Sequence, residues 1–343
     1  MTVPGIDWPR LVSWMASNAP VAGEPLSVSL ISGGKSNLTY LVEARERNVV
    51  LRRPPLGHVL PTAHDMRREW RVISALAPTP VPVPEPIAFC ADEDVIGAPF
   101  YLMGHVEGAS VRTAAELDSP SPEVTRQLSE RLAEVLAAIH AVDYDEAGLG
   151  DFGRPEGYLT RQLDRWRQQW ERSKTADLPE FDRLVARLRD RVPATSASTL
   201  VHGDYRLDNT LVRLTPDPRI LAVVDWEMST LGDPLADLGL TLTYWQDPGD
   251  EERAGIPVAG DVTLAPGFLD AAGFAAAYAK ASGRDIGDLG FYVGLGNFKL
   301  AVIVEGIHAR FRQGKTVGEG FDRIGSAVPT LIARAHRMLD QEA

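Results

Sequence analysis

The sequence has little cysteine, no excess of positive charge and no long apolar run. Cys90 is the single cysteine among 343 residues, which excludes intramolecular disulfides and zinc sites built on cysteines. We interpret it as a small apolar residue of a strand. Lysine and arginine number 35 against 47 aspartate and glutamate, and the resulting charge of −12 argues against a general binder of nucleic acid or anionic membranes.

Membrane helices and leader peptides are not indicated either. No segment reaches the roughly 18 uncharged apolar residues that a membrane-spanning helix requires, and the most apolar one is interrupted by Lys299 and Glu305. The first residues lack a basic segment followed by an apolar run, so we expect no secretory signal. These features predict a cytoplasmic protein without nucleic-acid or membrane partners. They leave its oligomeric state open.

The first hundred residues combine strands with few helices. At roughly 150 residues per domain, the length predicts two domains or one large unit with two lobes. Five prolines between Pro78 and Pro86 predict an extended connector. Alternating and helical hydrophobic periods predict strands at 26–31, 38–42, 48–53, 87–91 and 98–103, and helices over 7–19 and 64–77.

From about residue 109 the pattern is mainly helical. Helices are predicted over 122–141, 156–172, 176–190, 234–246, 268–281, 288–313 and 320–341, and short strands at 199–201, 211–213 and 221–224. Residues 247–267 are predicted to be a surface loop. We therefore expect an α+β fold with an N-terminal lobe at 1–103, a hinge at 104–108 and a C-terminal lobe at 109–343.

The most informative motif follows the predicted strand at 199–201. It reads His202-Gly203-Asp204, with Asn209 five residues after the aspartate and Asp225, at the end of another predicted strand, sixteen residues further on. Phosphoryl transfer requires a carboxylate that accepts a hydroxyl proton and hard oxygen ligands that hold magnesium on phosphates. The alternative, an Asx-rich turn followed by a strand-end cap, explains each residue separately. The ordered set favours phosphoryl transfer.

This ordered set resembles the motifs of the aminoglycoside phosphotransferase and choline kinase branch of the protein-kinase-like fold. The resemblance extends over about residues 25–340, and segments 52–55, 148–158 and 232–238 resemble the kinase-like domains sometimes fused to acyl-CoA dehydrogenases. It implies a bilobal fold, with a small antiparallel β-sheet lobe and a larger, mainly helical lobe. It also implies ATP-dependent phosphorylation of a small-molecule hydroxyl, with Asp204 as catalytic base and Asn209 and Asp225 as Mg²⁺ ligands.

Gly33, Gly34, Lys35 and Ser36 form a glycine-rich stretch that a predicted strand follows. A P-loop would need a helix at that place and a further glycine at position 29, which is Ser29. We interpret the stretch as a hairpin that closes over the nucleotide phosphates through backbone N–H groups. The alternative is a plain hairpin turn.

The resemblance also assigns roles in the N-terminal lobe. Arg52 occupies the strand position of the phosphate-pairing lysine of kinase-like folds, and Glu69 on the following helix is its expected ion partner. The alternative for this pair is a surface salt bridge. Met103, where the hinge begins, is expected to contact the nucleotide. His202 is expected to support the catalytic loop rather than to act as a base.

Two later segments have mainly structural interpretations. Asp233 and Pro234 have the residue types of a helix N-cap and first helical position. Asp237, one turn further, is expected from the resemblance to bond the backbone of the catalytic loop. Lys299 and Arg310 lie 11 residues apart on one predicted helix and share a face. A solvated helix face is favoured over a site for an anionic substrate.

The acceptor of the phosphoryl group is less well defined. The resemblance to domains associated with acyl-CoA dehydrogenases favours a hydroxyacyl compound. Two other functions stay open: a non-catalytic nucleotide-binding regulatory module, and a nucleotidyl transferase on the same fold, which would release pyrophosphate instead of ADP.

Overall fold

The computed structural model describes residues 3–33, 37–56, 65–118, 120–194, 196–257, 260–315, 321 and 323–341. The chain packs into two compact units, Met1–Gly108 with Leu221–Met228, and Ala109–Ile220 with Ser229–Ala343. The first unit therefore includes Leu221–Met228, a segment that the sequence analysis assigned to the C-terminal lobe. The lobe boundaries and the hinge at 104–108 remain predictions.

The first unit is built on an antiparallel sheet. Its helices and strands are α1 (Trp8–Asn18), β1 (Pro25–Gly33), β2 (Leu38–Ala44), β3 (Val49–Arg53), α2 (Met66–Leu76), β4 (Pro86–Cys90), α3 (Glu93–Ile96) and β5 (Phe100–Gly104). The strand order is β1-β2-β3-β5-β4, and each neighbouring pair is antiparallel. The predicted strands and the two longer helices are confirmed, whereas α3 was not predicted. Cys90 is buried in β4, as its interpretation requires.

Strand β3 carries a charged residue into the middle of this sheet. All five residues of β3 are buried, and Arg52 lies opposite Thr39 of β2 and Tyr101 of β5. Helix α2 begins at the N-cap Asp65 and buries Glu69 among its apolar residues. Both charged side chains need partners, because an unpaired charge inside a protein is strongly unfavourable.

The second unit is mainly helical. In chain order, the remaining elements are α4 (Pro122–His140), α5 (Tyr158–Ser173), α6 (Pro179–Asp190), β6 (Thr199–Val201), β7 (Thr210–Arg213), β8 (Arg219–Val223), β9 (Thr230–Gly232), α7 (Pro234–Tyr244), α8 (Glu251–Ala254), α9 (Ala271–Ser282), α10 (Leu289–Arg312) and α11 (Ala327–Asp340). Strand β8 begins here and ends within the first unit. The predicted helices are confirmed with shifted ends, and the predicted α+β class is confirmed.

The prediction of a surface loop at 247–267 is wrong in part. The segment contains α8, and Arg253 within it is 1% exposed. The guanidinium of Arg253 donates to the backbone oxygens of Tyr244 and Ile256. Because these carbonyls satisfy its guanidinium, Arg253 is buried in a segment whose composition indicates exposure.

Helix α10 is a core helix of the second unit. By length and composition alone it could cross a membrane, but 67% of its most apolar stretch is buried inside the protein. It packs against α5, α6, α7 and α11. A side chain at Gly296 would collide with Thr243 and come within 2.9 Å of the backbone oxygen of Gly239 on α7. Glycine at this position therefore permits the close approach of α7 and α10.

We expect Gly296→Ala to destabilise the protein by about 1–3 kcal/mol, because the added methyl group overpacks the contact between α7 and α10. Gly306→Ala, on the same helix, is the matched control, since a methyl group there would lie 3.9 Å from its nearest neighbour. That substitution should stabilise by about 0.4–1 kcal/mol. Urea unfolding of both variants measures the difference, and equal stabilities would contradict this account of the packing.

Candidate active site

In the first unit, Arg52 is held between two carboxylates. Its Nε lies 2.8 Å from Oε2 of Glu69, and its Nη2 lies 2.5 Å from Oδ1 of Asp225. Glu69 also accepts hydrogen bonds from Tyr101 Oη at 3.0 Å and from Asn37 Nδ2 at 2.7 Å. The pair is therefore not the surface salt bridge that was its alternative interpretation, since Glu69 is 1% exposed and Arg52 9% exposed.

A third carboxylate lies near this pair. Glu227 accepts a hydrogen bond from Asn37 Nδ2 at 3.2 Å and, like Glu69 and Asp225, acts to raise the pKa of Arg52. Burial acts to lower the pKa of Arg52, but Glu69, Tyr101 and Asp225 outweigh it and the pKa lies above its ordinary value. Burial raises the pKa of Glu69, against the opposing effect of Arg52. Charged neighbours therefore outweigh burial for Arg52, whereas burial dominates for Glu69.

Asn37 connects the glycine-rich stretch to this cluster. Its Nδ2 donates to both Glu69 and Glu227, the latter at 3.2 Å, and its side chain is 3% exposed. Gly33, at the end of β1, pairs with Leu38 at the start of β2, so the stretch joins two antiparallel strands. A strand and not a helix follows the stretch, which confirms the prediction of a hairpin instead of a P-loop. Gly34, Lys35 and Ser36 lie outside the described residues, and their contact with phosphates stays a prediction.

In the second unit, the predicted catalytic loop starts directly after β6. The amide Nδ2 of Asn209 donates to the backbone oxygen of Asp204 at 2.8 Å and to its Oδ2 at 3.0 Å. The structure thus brings these two predicted residues together. Because both hydrogen bonds use the amide nitrogen, the amide oxygen of Asn209 is the atom left to bind a cation.

Two residues beside Asp204 were not predicted. Arg206 lies 3.7 Å from Asp204 Oδ2 and 3.4 Å from Asp208 Oδ2, and its guanidinium stacks 4.8 Å from the ring centre of Tyr244. Burial raises the pKa of Tyr244, and the nearby Asp204 carboxylate raises it further. Arg206 stands inside the recognised motif and could have been found there. Tyr244 is the last residue of α7, far from the motif in sequence, and no local sequence pattern indicated its contact with Arg206.

The loop is anchored by Asp237, one turn into α7. Its Oδ2 accepts the N–H of His202 at 2.6 Å, and its Oδ1 accepts that of Gly203 at 2.8 Å. His140 Nε2 lies 3.3 Å from the same carboxylate, and its Nδ1 lies 2.8 Å from Tyr278 Oη. The expected bond from Asp237 to the loop backbone is confirmed.

Lys299 also contacts this loop. Its Nζ donates to the backbone oxygen of Gly203 at 2.8 Å. The interpretation of Lys299 as part of a solvated helix face is therefore wrong, because the packing of α10 brings it to the loop. Arg310, on the same helix, is exposed as predicted.

The remaining predicted residues are located as follows. Asp233 accepts the N–H of Leu235 at 2.9 Å and caps α7, with Pro234 as its first residue, which confirms that prediction. His202 is buried, and its Nδ1 accepts the N–H of Asp204 at 3.3 Å, in keeping with a supporting role. Met103 is buried in β5 opposite Val50. Its contact with a nucleotide stays a prediction.

We expect the loop anchor to make stability depend on pH. Burial lowers the pKa of His140 below its ordinary 6.5, so the folded protein keeps the ring neutral and unfolding allows it to take up a proton. Burial acts to raise the pKa of Asp237, but the hydrogen bonds from His140 and from the backbone N–H of His202 oppose it and the pKa is lowered. Both pKa shifts stabilise the folded protein, and this stability is lost as the pH falls. The contribution of His140 declines first, below about pH 6.5.

The measurement is the free energy of unfolding between pH 7 and pH 5 for the native protein, His140→Gln and His105→Gln. One proton taken up on unfolding gives a slope of at most about 1.4 kcal/mol per pH unit. His140→Gln should reduce this slope. His105→Gln changes an exposed histidine and should leave it unchanged. A slope in His140→Gln equal to the native one would show that His140 is not responsible.

Comparison with known proteins places this geometry in a family. The model of the phosphotransferase enzyme family matches residues 27–287. Acyl-CoA dehydrogenase family member 11 of Gallus gallus is 35% identical over 318 residues, which cover 90% of this chain and 40% of that protein. The chain therefore spans less than half the length of this relative.

Solved structures show the same fold. A protein of Ralstonia eutropha, provisionally described as an aminoglycoside phosphotransferase, superposes with a TM-score of 0.84 at 35% identity over 98% of both chains. The GDP complex of aminoglycoside 2′-phosphotransferase-IIIa superposes with a TM-score of 0.64 at 16% identity, covering 96% of this chain and 99% of that one, which supports the fold alone. The kinase-like fold is thus confirmed, and the chain belongs to the phosphotransferase enzyme family.

Proposed function

We propose that the protein transfers the γ-phosphoryl group of ATP to a hydroxyl group of a small molecule. The observation that carries this proposal is the immobilised carboxylate of Asp204. Asn209 bonds both its side chain and its backbone oxygen, and Asp237 anchors the two preceding residues. A base held in this way suits phosphoryl transfer, in which catalysis is mostly positioning and charge stabilisation.

Asp204 is the proposed general base. Its carboxylate accepts the proton of the acceptor hydroxyl while the hydroxyl oxygen forms a bond to the γ-phosphorus. The bond between that phosphorus and the bridging oxygen breaks, and ADP leaves with its electron pair. Arg206, beside Asp204, adds a positive charge to the surroundings of the base.

Arg52 is proposed to pair with the nucleotide phosphates. An arginine presents several N–H donors in a planar fork, so it can bond a phosphate while one side stays on Glu69. Glu69 orients this fork and has no contact with the reacting atoms in the proposed mechanism. The hairpin at Gly33–Ser36 and Met103 are proposed as further nucleotide contacts.

Asn209 and Asp225 are the proposed ligands of Mg²⁺. An amide oxygen and a carboxylate oxygen are hard donors of the kind that Mg²⁺ prefers, and the donor set fits the ion. Among the described residues, no three His, Cys, Asp or Glu side chains form a complete metal site. Mg²⁺ usually takes one or two protein carboxylates and completes its shell with water and phosphates, so two protein donors are the expected number. When bound, the ion would neutralise charge on the phosphates.

The proposed acceptor is a hydroxyacyl compound, such as a hydroxyacyl thioester. The support is the name of the relative that is 35% identical to this chain, an acyl-CoA dehydrogenase family member. The chain covers 40% of that relative, so a dehydrogenase activity is not carried over to it.

One panel of assays tests the reaction and the acceptor together. The protein is incubated with Mg²⁺-ATP and hydroxyacyl-CoAs, aminoglycosides, choline or homoserine, and the release of ADP and of pyrophosphate is measured. ADP release with phosphorylation of a hydroxyacyl-CoA is expected. Pyrophosphate release would identify a nucleotidyl transferase. ATP binding without turnover of any acceptor would favour a regulatory module.

Substitution of Asp204 and substitution of Asp225 should affect different steps. We expect Asp204→Asn to lower kcat at least about 100-fold with little change in Mg²⁺-ATP affinity, because the base acts on the acceptor. Asp225→Asn should weaken the binding of Mg²⁺-ATP, since it replaces a charged ligand of the ion. Calorimetric titration with Mg²⁺-ATP and steady-state kinetics measure both effects. Unchanged Mg²⁺-ATP affinity in Asp225→Asn would refute its assignment.

Arg52→Lys tests the phosphate contact. The substitution keeps the charge but removes the planar fork, and we expect kcat/KM to fall about tenfold or more, equivalent to about 1.4 kcal/mol. Arg52→Ala should lose more activity, and Glu69→Ala less than Arg52→Ala. The double substitution should be non-additive, because the two residues act as a pair.

The matched control is Arg47→Lys. Arg47 makes an ion pair with Glu85 at 2.8 Å near the surface of the same unit, so kcat/KM should stay near the native value. Native kinetics in Arg52→Ala would instead show that other residues hold the phosphates.

A further inference from the structure

Lys299 places a positive charge against the backbone of the catalytic loop. Its Nζ donates to the backbone oxygen of Gly203 at 2.8 Å and lies 5.6 Å from the ring centre of Trp166 on α5. Burial lowers the pKa of Lys299, whereas the carboxylates of Asp204 and Asp237 act to raise it. The side chain extends from the core helix α10, so its contact with the loop is set by helix packing.

The contact lies at the peptide group that precedes Asp204. Lys299 binds the oxygen of this peptide, and His202 Nδ1 accepts its N–H at 3.3 Å. The N–H of Gly203 is bound by Asp237. Gly203 has φ +85°, a left-handed conformation that glycine adopts readily and other residues rarely do. Both polar atoms of the Gly203–Asp204 peptide therefore have a partner, and the partner of its oxygen is the amino group of Lys299.

We propose that Lys299 is a positioning residue that holds the Gly203–Asp204 peptide, and with it the Asp204 carboxylate, in the orientation required for phosphoryl transfer. This inference rests on the proposed role of Asp204 as the base. A hydrogen bond from a charged donor is stronger than a neutral one. A displacement of about 1 Å in a catalytic group can lower a rate about 100-fold, so a backbone contact next to the base affects turnover.

The space around Lys299 argues against an anchor for an anionic acceptor. The residue lines a cavity of about 30 Å³ together with Tyr158, Gln162 and Trp166. Its amino group is already bonded to the Gly203 oxygen, and the carboxylates of Asp204 and Asp237 are near enough to act on its pKa, so these surroundings disfavour a further anion. The amino group is therefore suited to the loop rather than to a substrate.

Kinetics of three variants test the proposal. We expect Lys299→Met to lower kcat about tenfold or more while KM for ATP stays within about twofold, because the nucleotide contacts are not altered. Propylammonium should partly restore kcat in Lys299→Ala by returning a cation to the space, and neutral propanol should not. Arg310→Met removes an exposed charge from the same helix and should behave as the native protein. Native kcat in Lys299→Met, or equal rescue by propanol, would overturn the proposal.

Hydrogen exchange provides a readout that does not depend on turnover. Lys299→Met should accelerate amide exchange in residues 202–209 and leave exchange along α10 unchanged, whereas Arg310→Met should do neither. Unchanged exchange at 202–209 would overturn the proposal whatever the kinetics. If the native protein transfers phosphate to no acceptor, the proposed function fails, and the exchange result alone decides whether Lys299 positions the loop.

Discussion

The geometry of the predicted catalytic loop depends on one buried group, the carboxylate of Asp237. An ionised carboxylate inside a protein must be bonded on most sides to be tolerated. Asp237 obtains its partners from the backbone N–H groups of His202 and Gly203 and from the His140 ring. The requirement to satisfy one charge therefore determines the path of the backbone just before Asp204. Residues 202–204 keep their conformation without regular secondary structure because their backbone N–H groups are bonded.

In the first unit, the buried charge that needs partners is positive. Arg52 stands on a fully buried strand, and Glu69 and Asp225 neutralise it from two sides. The removal of Arg52 would leave Glu69 buried without its ion partner, and an uncompensated buried charge is strongly destabilising in general.

Several parts of the fold and site were predictable because their signals are local. The strands follow from alternating apolar residues, and the start of α7 follows from Asp233 and Pro234. Asp204 and Asn209 were singled out together because they stand five residues apart in one motif, and the structure shows that they are in contact. Tyr244 and the contacts of Asn37 had no such signal. A tyrosine at a helix end or an asparagine after a glycine-rich stretch has many ordinary explanations.

The sequence by itself determined the order of helices and strands, the family motifs and the residue types available for phosphoryl transfer. Apart from the pair of Arg52 and Glu69, which the resemblance implied, tertiary structure decided which partners the charged groups have. Arg52 and Asp225 are 173 residues apart in the chain, and Lys299 and Gly203 are 96 apart. A hydrogen bond forms only within about 3 Å, whereas periodicity assigns a side chain to a face of a helix or strand without naming its neighbour. Only the packing of α10 could show that Lys299 faces the catalytic loop and Arg310 faces solvent.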